Sequence, residues 1–539
     1  MFAVFLLLLA LAAGRAAWLG TVRADDLRGR AADQQVSDLA VAGHRGAVTD
    51  RHGLELAVSE DAVTVFAHPF LIERPAQVAR QLAGPLDRSA KALTRKLSDR
   101  DQGFVYLGRK LDPEVGKAVE KLRVEGVEGV ESVAEPRRRY PQRDLAAQLL
   151  GTVGTDNYGL SGLEQSREET LHGENGRRRL VKDALGKPIS IVDQRRAVPG
   201  DDLRLTLDAA IQERTEAVLE DVGERYSARG ATALVLDPRT GELLSVANWP
   251  SVNPNRAGAA LSPAHQNRAV AASYEPGSTF KAVTMAGALE DDLIEPETPF
   301  SLAPTIQVAD RVIRESHARA AVSLSAAEIL AQSSNVGSVT IGLKLGARRF
   351  DHWVRRFGYG RPTDVDLPGE GTGIVPSPSD YSGSSMGNLP IGQGLAATPI
   401  QMAAAYAGIA NGGLVHRPHV VAGTRAPARR VVSERTARRV SRMLEGVLGP
   451  GGTAQEAQVP GYRLAGKTGT AQKPDGFGGY AKTKFVASFI GYAPARNPRL
   501  LVAVAVDEPR GEIYGGAVAA PAFEKIVSFA LPYLRIPPD

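Results

Sequence analysis

The N-terminus of the chain carries its strongest constraint on architecture, an uncharged run over Met1–Gly14. A helix of that length rises only ~21 Å, which is shorter than the ~30 Å hydrocarbon core of a bilayer. An extension to Val22 reaches ~33 Å and places Arg15 inside the span, where its charge must reach the headgroups or a partner. The run therefore predicts a segment that meets a membrane.

Three interpretations of this run remain open: a cleaved signal peptide, a buried core helix and a membrane anchor. No basic residues precede the run, and no small-residue cleavage site is followed by a clear mature start. We therefore expect an uncleaved anchor over residues 1–24, with a start that is truncated or misassigned. No other stretch approaches about 18 consecutive apolar residues, so the sequence predicts a single-pass protein whose remainder is soluble.

Composition excludes several classes of function. With 43% hydrophobic and 23% charged residues, the 539-residue chain has enough apolar surface to fold. A net charge of +5 is small for this length and does not indicate nucleic-acid binding. The lack of cysteine excludes disulfides and thiol catalysis. Because the nine histidines are scattered, we expect neither a metal site nor a cofactor.

The chain divides by composition after the anchor. Residues 25–198 are charge-rich and broken into short strand-like and helical runs, Pro199–Asp202 are turn residues, and residues 199–539 are rich in alanine, glycine and valine. Periodic segments in the last region predict helices between strand groups, which is typical of an α+β fold with an antiparallel sheet flanked by helices. The predicted elements are a helix over 209–225 and strands over 231–237, 242–247, 485–492 and 500–506.

A phosphate-binding pattern, G-x-x-x-x-G-K-T, occurs at Gly461–Thr468. Such a loop holds phosphate only when a helix begins at its Lys-Thr, because the backbone amides and the helix dipole must meet the phosphate. Here Thr468 leads into a run that contains Gly469, Pro474 and Gly476, and this run does not favour a helix. The sequence therefore predicts no nucleotide site.

Ser278 and Lys281 form a candidate nucleophile and base. The pair follows Pro276-Gly277 and precedes a helix-forming stretch over 282–290, and residues i and i+3 share one helix face. Lys281 then lies one turn from the Ser278 hydroxyl, and a lysine can take a serine proton when burial and a neighbouring cation lower its pKa. A capping serine followed by a solvated lysine gives the same pattern, so the pair alone decides nothing.

Two further motifs follow in order. Ser333-Ser334-Asn335 lies 55 residues after Ser278, and Lys467-Thr468-Gly469 lies 134 residues after Ser333 in a strand-like context. Each motif alone is weak. The order S-x-x-K, S-x-N, K-T-G in a chain with an apolar N-terminus is a strong joint pattern, which penicillin-binding proteins share with serine β-lactamases.

At these motifs the sequence resembles a class B penicillin-binding protein, a membrane-anchored peptidoglycan D,D-transpeptidase. The resemblance runs over nearly the whole chain. Phe104–Arg109 and Tyr274–Ser278 are more similar to the cell-division member of the family than to the elongation member. Further similar segments are Arg45-Gly46, Asp50–Gly53, Arg139–Pro141 and Gly159–Glu164 of the family's pedestal, and Gly392–Gly394 with Thr398–Gln401 after the catalytic loop.

The resemblance implies an α+β architecture in three parts. Residues 1–24 are expected to anchor the chain, and residues 25–198 to form an elongated, non-catalytic α+β pedestal of the dimerisation type. Residues 199–539 are expected to form a transpeptidase domain of the penicillin-binding and serine β-lactamase-like type. A pedestal of this length argues against a β-lactamase, which is normally a smaller single domain.

The resemblance also implies a role for each motif residue. Ser278 is expected to attack the carbonyl between two terminal D-alanines, Lys281 to accept its proton, and Ser333 to relay it to the leaving amine. Asn335 is expected to hold Lys281 and the substrate amide, and Lys467 to keep the site cationic so that Lys281 stays neutral. The implied substrate contacts are Thr468, Gly469 and Thr470, with the amides of Ser278 and Thr470 as the oxyanion hole.

Partners and location follow from the same resemblance. The expected partners are stem peptides ending in D-Ala-D-Ala, β-lactam antibiotics, a SEDS-type membrane glycosyltransferase and divisome proteins, with no nucleic acid and no nucleotide. The expected location is the inner or cytoplasmic membrane, with the catalytic domain on the extracytoplasmic side. A septal transpeptidase is favoured, while an elongation-type transpeptidase, a D,D-carboxypeptidase and a non-enzymatic β-lactam sensor or division scaffold remain alternatives.

Overall fold

The N-terminal helix spans Phe2–Thr21, and none of its side chains is buried. Its twenty residues give a length of about 30 Å, the thickness of a bilayer's hydrocarbon core. The helix includes Arg15, and the guanidinium carbons of Arg15 and Arg23 lie 4.8 and 5.6 Å from the Trp18 ring centroid. By length and composition the helix fits the single-pass membrane anchor that the sequence predicts.

The structure, a computed structural model, is organised in two compact units. It describes residues 2–24, 36–182, 188–259, 262–476 and 479–539. The first unit comprises Met1–Gly46, Val58–Arg139 and Glu169–Asp202, and the second comprises Ala47–Ala57, Tyr140–Glu168 and Leu203–Asp539.

The core of the first unit lies under a three-stranded antiparallel sheet in which Val63–Ala67 is the central strand. Alternate residues of this strand, Val65 and Ala67, are fully buried because successive side chains of a strand point to opposite faces. They pack with Leu82, Leu97 and other apolar residues of the neighbouring helices. The helices are Pro75–Ala83, Ala90–Leu97 and Pro113–Val124, and the other strands are Val36–Val41, Val105–Leu111, Val130–Ala134, Arg137–Arg139, Gly176–Lys182 and Pro188–Arg195. The residues of the strand Glu55–Glu60 divide between the two units.

A five-stranded antiparallel sheet organises the second unit. Its three inner strands are largely runs of buried residues, because helices cover both faces. Ala465–Pro474 forms one edge of the sheet and pairs with Tyr480–Ala493. The strand order is Leu243–Trp249, Gly230–Leu236, Leu500–Asp507, Tyr480–Ala493 and Ala465–Pro474.

Two groups of helices cover this sheet. Ala209–Arg225 packs with Ala520–Tyr533 against the sheet, and Pro399–Ala410 belongs to a second group that packs against the same inner strands. Every residue of Pro399–Ala410 is buried. Further helices of this unit are Arg268–Ala271, Lys281–Glu290, Ala326–Ala331, Asn335–Leu345, Ala347–Phe357, Ser385–Asn388, Glu434–Glu445 and Gly515–Val518. Three antiparallel strand pairs accompany them: Pro299–Leu302 with Val322–Ser325, Thr305–Val308 with Arg311–Arg314, and Leu414–His416 with Ala428–Arg430.

The helix Ala209–Arg225 shows why the sequence predicts this fold well. Asp208 caps it by accepting hydrogen bonds at 3.2 Å from the amides of Ala210 and Ile211. Its buried residues recur at the spacing of one helix face and include Ile211, Thr215, Val218, Leu219 and Val222. The predicted helix over 209–225 and the predicted antiparallel sheet are confirmed.

Candidate active site

Ser278 lies in a short 3₁₀ turn, Gly277–Phe280, that leads into the helix Lys281–Glu290. The sequence predicts a helix start at this position, and the structure places the tighter turn there first. Side chains at positions i and i+3 of a 3₁₀ turn are eclipsed. Ser278 and Lys281 therefore leave the backbone on the same side, and Ser278 is half-buried at the wall of an open cleft.

Contacts from two other segments fix this turn. The Gly277 amide donates a hydrogen bond to the Gly392 carbonyl at 3.0 Å. The hydroxyl of the buried Tyr406 donates to the Thr279 carbonyl at 2.6 Å. Gly277 has a φ of +56°, a conformation that favours glycine. The serine is thus presented by a backbone that is held from both sides.

Lys281 is fully buried behind the turn, and its ammonium group is surrounded by acceptors. Nζ donates to the Ser333 carbonyl at 2.7 Å, to Ser333 Oγ at 3.3 Å and to Asn335 Oδ1 at 2.7 Å. Within the described residues, Ser278 Oγ is not among its hydrogen-bond partners. Burial lowers the pKa of Lys281 to about 7, although the negative charge of Glu315 opposes the shift.

The Ser333–Asn335 turn comes directly before the helix Asn335–Leu345. Ser333 has a φ of +60°, a left-handed conformation that costs energy for a residue with a side chain. Ser334 caps the helix by accepting from the Gly337 amide at 2.9 Å. We call the Ser278–Lys281 turn and the Ser333–Asn335 turn together the helix wall of the cleft.

Lys467, Thr468, Gly469 and Thr470 lie on the edge strand Ala465–Pro474, and we call this segment the strand wall. Lys467 is fully buried, and its Nζ donates to the carbonyl and to Oγ1 of Thr468, both at 3.3 Å. Burial lowers the pKa of Lys467 well below its usual value, and the charge of Lys281 lowers it further. The sequence-based expectation assigns the fixed positive charge to Lys467, and in the ligand-free structure both burial and the charge of Lys281 oppose that charge.

The strand wall presents alternate side chains to the cleft, as strand geometry requires. Thr468, Thr470 and Gln472 line it, and Thr470 Oγ1 accepts from the Gly515 amide at 3.0 Å. Thr468 Oγ1 lies 2.6 Å from Thr453 Oγ1. The two threonine hydroxyls are therefore held in place by a neighbouring loop and a helix start.

Gly469 has a packing role that only glycine can fill. A Cβ at this position would lie 2.4 Å from Ser488 Oγ and 3.1 Å from the Pro276 carbonyl oxygen. Because Pro276 directly precedes the Ser278 turn, the missing side chain lets the strand wall approach that turn closely.

The structure brings the predicted site residues together around one cleft of 1230 Å³. Ser278, Ser333, Asn335, Thr468 and Thr470 line it, while Lys281 and Lys467 are buried behind its walls. Sequence reasoning missed three contributors: Glu315, Thr453 and Gly515. None of them belongs to a motif, and only folding places them beside the motif residues.

Two alternative chemistries find no support in this cleft. Among the described residues, no group of three or more His, Cys, Asp or Glu side chains could hold a metal ion. The phosphate-loop pattern ends inside the strand Ala465–Pro474, so Lys467 and Thr468 do not begin a helix. The geometry instead suits attack by a serine whose proton is taken by a lysine.

Comparison with known families agrees with this geometry. Residues 231–528 match the penicillin-binding protein transpeptidase domain, and residues 40–205 match the penicillin-binding protein dimerisation domain. The chain belongs to the class B penicillin-binding proteins. The predicted family, the α+β fold and the peptidoglycan D,D-transpeptidase activity are confirmed.

Individual class B penicillin-binding proteins resemble the chain over most of its length. A probable peptidoglycan D,D-transpeptidase PenA of Neisseria meningitidis is 34% identical over 97% of this chain and 90% of its own. The peptidoglycan D,D-transpeptidase FtsI of Escherichia coli is 32% identical over 99% of this chain and 91% of its own. The solved structure of penicillin-binding protein 3 from Mycobacterium tuberculosis with aztreonam is 28% identical, has a TM-score of 0.72 and covers 93% of this chain and 98% of its own.

Proposed function

We propose that the chain crosslinks peptidoglycan stem peptides through an acyl-enzyme on Ser278. The observation that carries this proposal is the half-buried serine in an open cleft, one turn before a buried lysine whose acceptors come from Ser333 and Asn335. The substrate class follows from the family and from relatives named as peptidoglycan D,D-transpeptidases.

In the acylation step, Ser278 Oγ attacks the carbonyl carbon between the two terminal D-alanines of a donor peptide. Lys281 accepts the hydroxyl proton, because a pKa of about 7 leaves a large neutral fraction of the amine at neutral pH. Collapse of the tetrahedral intermediate breaks the C–N bond to the last D-alanine. The leaving nitrogen takes a proton from Ser333 Oγ, which is replenished from Lys281 Nζ at 3.3 Å.

The negatively charged oxygen of that intermediate needs hydrogen-bond donors, and these must differ from Lys281 and Ser333, which transfer the proton. The amides of Ser278 and Thr470 are the proposed donors, because the strand wall runs beside the Ser278 turn. Loss of one such donor costs ~3–4 kcal/mol in related acyl-transfer sites.

In the second step, the amine of a neighbouring stem peptide attacks the ester. The new C–N bond forms as the C–O bond to Ser278 breaks, and the amine proton returns to Ser278 Oγ through Lys281. A β-lactam acylates Ser278 in the same way, but its ring nitrogen stays attached to the acyl group, so the adduct leaves slowly.

The strand wall is the proposed binding site for the terminal carboxylate of the donor peptide. The hydroxyls of Thr468 and Thr470 line the cleft and can donate to it, and Gly469 keeps the strand close to the Ser278 turn. An incoming carboxylate would also favour the protonated form of Lys467 behind the strand. Lys467 would then gain its charge together with the substrate.

We further propose a septal role on the extracytoplasmic side of the cytoplasmic membrane, with Phe2–Thr21 as the anchor. The similarity to FtsI and the resemblance at Phe104–Arg109 and Tyr274–Ser278 support the role in division. A SEDS-type glycosyltransferase that receives the anchor, with Arg15 as a contact, is the proposed partner, alongside other divisome proteins. Deletion of residues 1–24 should leave acylation intact and abolish crosslinking coupled to that partner. If the shortened chain couples crosslinking to that partner as well as the full chain does, the anchor only attaches the protein to the membrane and does not bind the partner.

The three-part division predicted from the sequence is also proposed: an anchor over residues 1–24, a pedestal over 25–198 and a catalytic domain over 199–539. Its support is that all eight motif residues fall after residue 202, in the second compact unit. Limited proteolysis should release a fragment that starts near residue 199 and still binds penicillin. If cleavage near residue 199 abolishes penicillin binding, the catalytic domain needs part of the pedestal, and the proposed boundary is wrong.

Labelling of the full chain with fluorescent penicillin tests the nucleophile. Ser278→Ala should remove the label and leave the melting temperature nearly unchanged, while the exposed control Ser379→Ala should label like the parent. A label that persists in Ser278→Ala, or that maps to Ser333, would overturn the assignment.

Product analysis with a stem-peptide donor and an amine acceptor tests the reaction. The crosslinked peptide should be the main product. Hydrolysed donor alone would identify a D,D-carboxypeptidase. Penicillin acylation without turnover of any peptide would identify a β-lactam sensor or scaffold.

A further inference from the structure

Glu315 lies outside every motif, yet its carboxylate contacts the helix wall directly. It follows the strand Arg311–Arg314, and its side chain is only 8% exposed. Its two oxygens accept hydrogen bonds from Ser334 Oγ and from the Asn335 amide, both at 2.6 Å. Charge-assisted contacts of this length are among the stronger hydrogen bonds in proteins.

These contacts fall on the residues that surround Lys281. The Asn335 side-chain amide also donates to the Arg314 carbonyl at 2.9 Å, so the segment before Glu315 orients the same residue. Ser333 beside them is held in a left-handed conformation, which persists only where neighbouring contacts enforce it. Glu315 supplies such contacts to Ser334 and Asn335, the two residues after Ser333. The position of Glu315 therefore controls where the acceptors of Lys281 lie.

The same carboxylate acts on Lys281 through its charge. Burial raises the pKa of Glu315, but hydrogen bonds from Ser334, the Asn335 amide and Arg319 outweigh burial, so the pKa is lowered and the group is ionised. Arg319 donates to Glu315 Oε1 at 2.6 Å and offsets part of its charge. The charge of Lys281 in turn acts on Lys467 and lowers the pKa of that lysine.

We propose that Glu315 is a positioning residue that assembles the acceptors of Lys281 and, balanced by Arg319, sets the pH range in which Lys281 can take the Ser278 proton. The inference rests on the proposed function, because it concerns the base of that reaction. It assigns a task to a partly buried ion pair that the motifs do not contain. Removing ions from water costs free energy, so a functional reason for keeping such a pair is informative.

The test measures the β-lactam acylation rate of the full chain against pH in two variants with opposite charge effects. Glu315→Gln keeps the shape and removes the negative charge, so the rising limb of the profile should move down by about one pH unit. Arg319→Gln removes the offsetting cation, so the limb should move up by about half a pH unit. The exposed Glu297→Gln is the matched control and should leave the profile in place.

Opposite shifts exclude a merely structural effect, since a loosened turn would slow both variants without moving their profiles in opposite directions. Parallel shifts, or no shift in either variant, would overturn the inference. If Glu315→Gln does not fold, Arg319→Gln decides alone, and Glu315→Asp should recover the parent profile with a lower rate. If the parent chain is not acylated at Ser278, the proposed function fails instead, and the two failures are distinguishable.

Discussion

The two walls of the cleft each bury a lysine, but they treat its charge differently. On the helix wall, Lys281 has close oxygen acceptors at 2.7 Å and a carboxylate, Glu315, acting on it. On the strand wall, the contacts of Lys467 within the described residues are the longer ones to Thr468 at 3.3 Å, and the charge of Lys281 opposes its proton. Both side chains are fully buried, so burial alone does not separate them.

The difference teaches where the proton of the ligand-free site resides. Two ammonium groups in one buried site repel each other, so they titrate as a pair. Short contacts to oxygen acceptors and a nearby anion stabilise a proton on Lys281, so we expect Lys281 to carry the proton of the pair. On the proposed function, Lys467 gains its charge when the donor carboxylate binds, which would couple substrate binding to the charge state of the site.

The largest effect that separates the walls is expected from removing each lysine. Lys281→Met should lower the acylation rate by ~10²–10⁴-fold, because it removes the general base. Lys467→Met should act mainly through binding, with a smaller loss that is concentrated in KM for carboxylate-bearing donors. Steady-state and single-turnover kinetics of both variants check this. Equal losses of kcat would contradict a division of labour between the walls.

The next effect concerns how closely the walls approach each other. Gly469→Ala should reduce the free energy of unfolding by about 1–3 kcal/mol, because its Cβ would overlap Ser488 Oγ and press on the Pro276 carbonyl. Acylation should fall about tenfold as the strand wall moves from the Ser278 turn. Denaturant unfolding and penicillin labelling measure the two effects. Gly103→Ala, whose Cβ would meet nothing within 4 Å, is the control and should change neither.

The sequence predicts the regular parts of the fold because local signals and burial agree there. The helix over 209–225 has a capping Asp208 and one buried face, and its observed bounds match the prediction. The strand predicted over 485–492 is longer in the structure, Tyr480–Ala493, because its first residues are mostly exposed and carry no apolar signal. Strand ends of this kind are fixed by pairing with a neighbour, which the sequence of one strand does not encode.

The site is predictable to the extent that its residues lie in motifs. The spacing of Ser278 and Lys281 places both on one side of a turn, and this holds although the turn is 3₁₀. Glu315 could not be found in this way, because its contacts to Ser334 and Asn335 depend on a tertiary approach. The surroundings of the two buried lysines also depend on that approach, so the fixed charge that the sequence assigns to Lys467 stays a prediction.

The buried Lys467 of the strand wall should also affect how the free energy of unfolding of the ligand-free protein depends on pH. Because the pKa of Lys467 is lowered on folding, the unfolded chain binds a proton that the folded chain lacks, and stability rises with pH up to about 10, the ordinary lysine pKa. Lys467→Met should therefore be more stable than the parent at pH 7, with a gap that narrows towards pH 10. Chemical denaturation at the two pH values measures it. A gap that widens with pH would contradict the direction of the pKa shift.

The smallest expected effect concerns the hydrogen bond that holds the Thr468 hydroxyl on the strand wall. Thr453→Val removes the closer of two partners of the Thr468 hydroxyl, which lies 2.6 Å away, and should cost about 1 kcal/mol in stabilisation of the bound donor. Donor KM should rise a few-fold, with kcat nearly constant. Thr424→Val, outside the cleft, is the matched control. A change in kcat without a change in KM would contradict this role, because it would mean that Thr453 affects the chemical step and not donor binding.

The most direct test of the difference between the walls is a pH titration of the two lysine side chains by NMR. The protein is labelled with ¹³C-lysine, and the Cε signals are assigned with Lys281→Arg and Lys467→Arg variants. In the ligand-free protein, Lys281 should titrate near pH 7, and Lys467 should titrate well below the ordinary pKa of lysine, because burial and the charge of Lys281 both oppose its proton. A protonated Lys467 beside a neutral Lys281 at pH 7 would contradict the account.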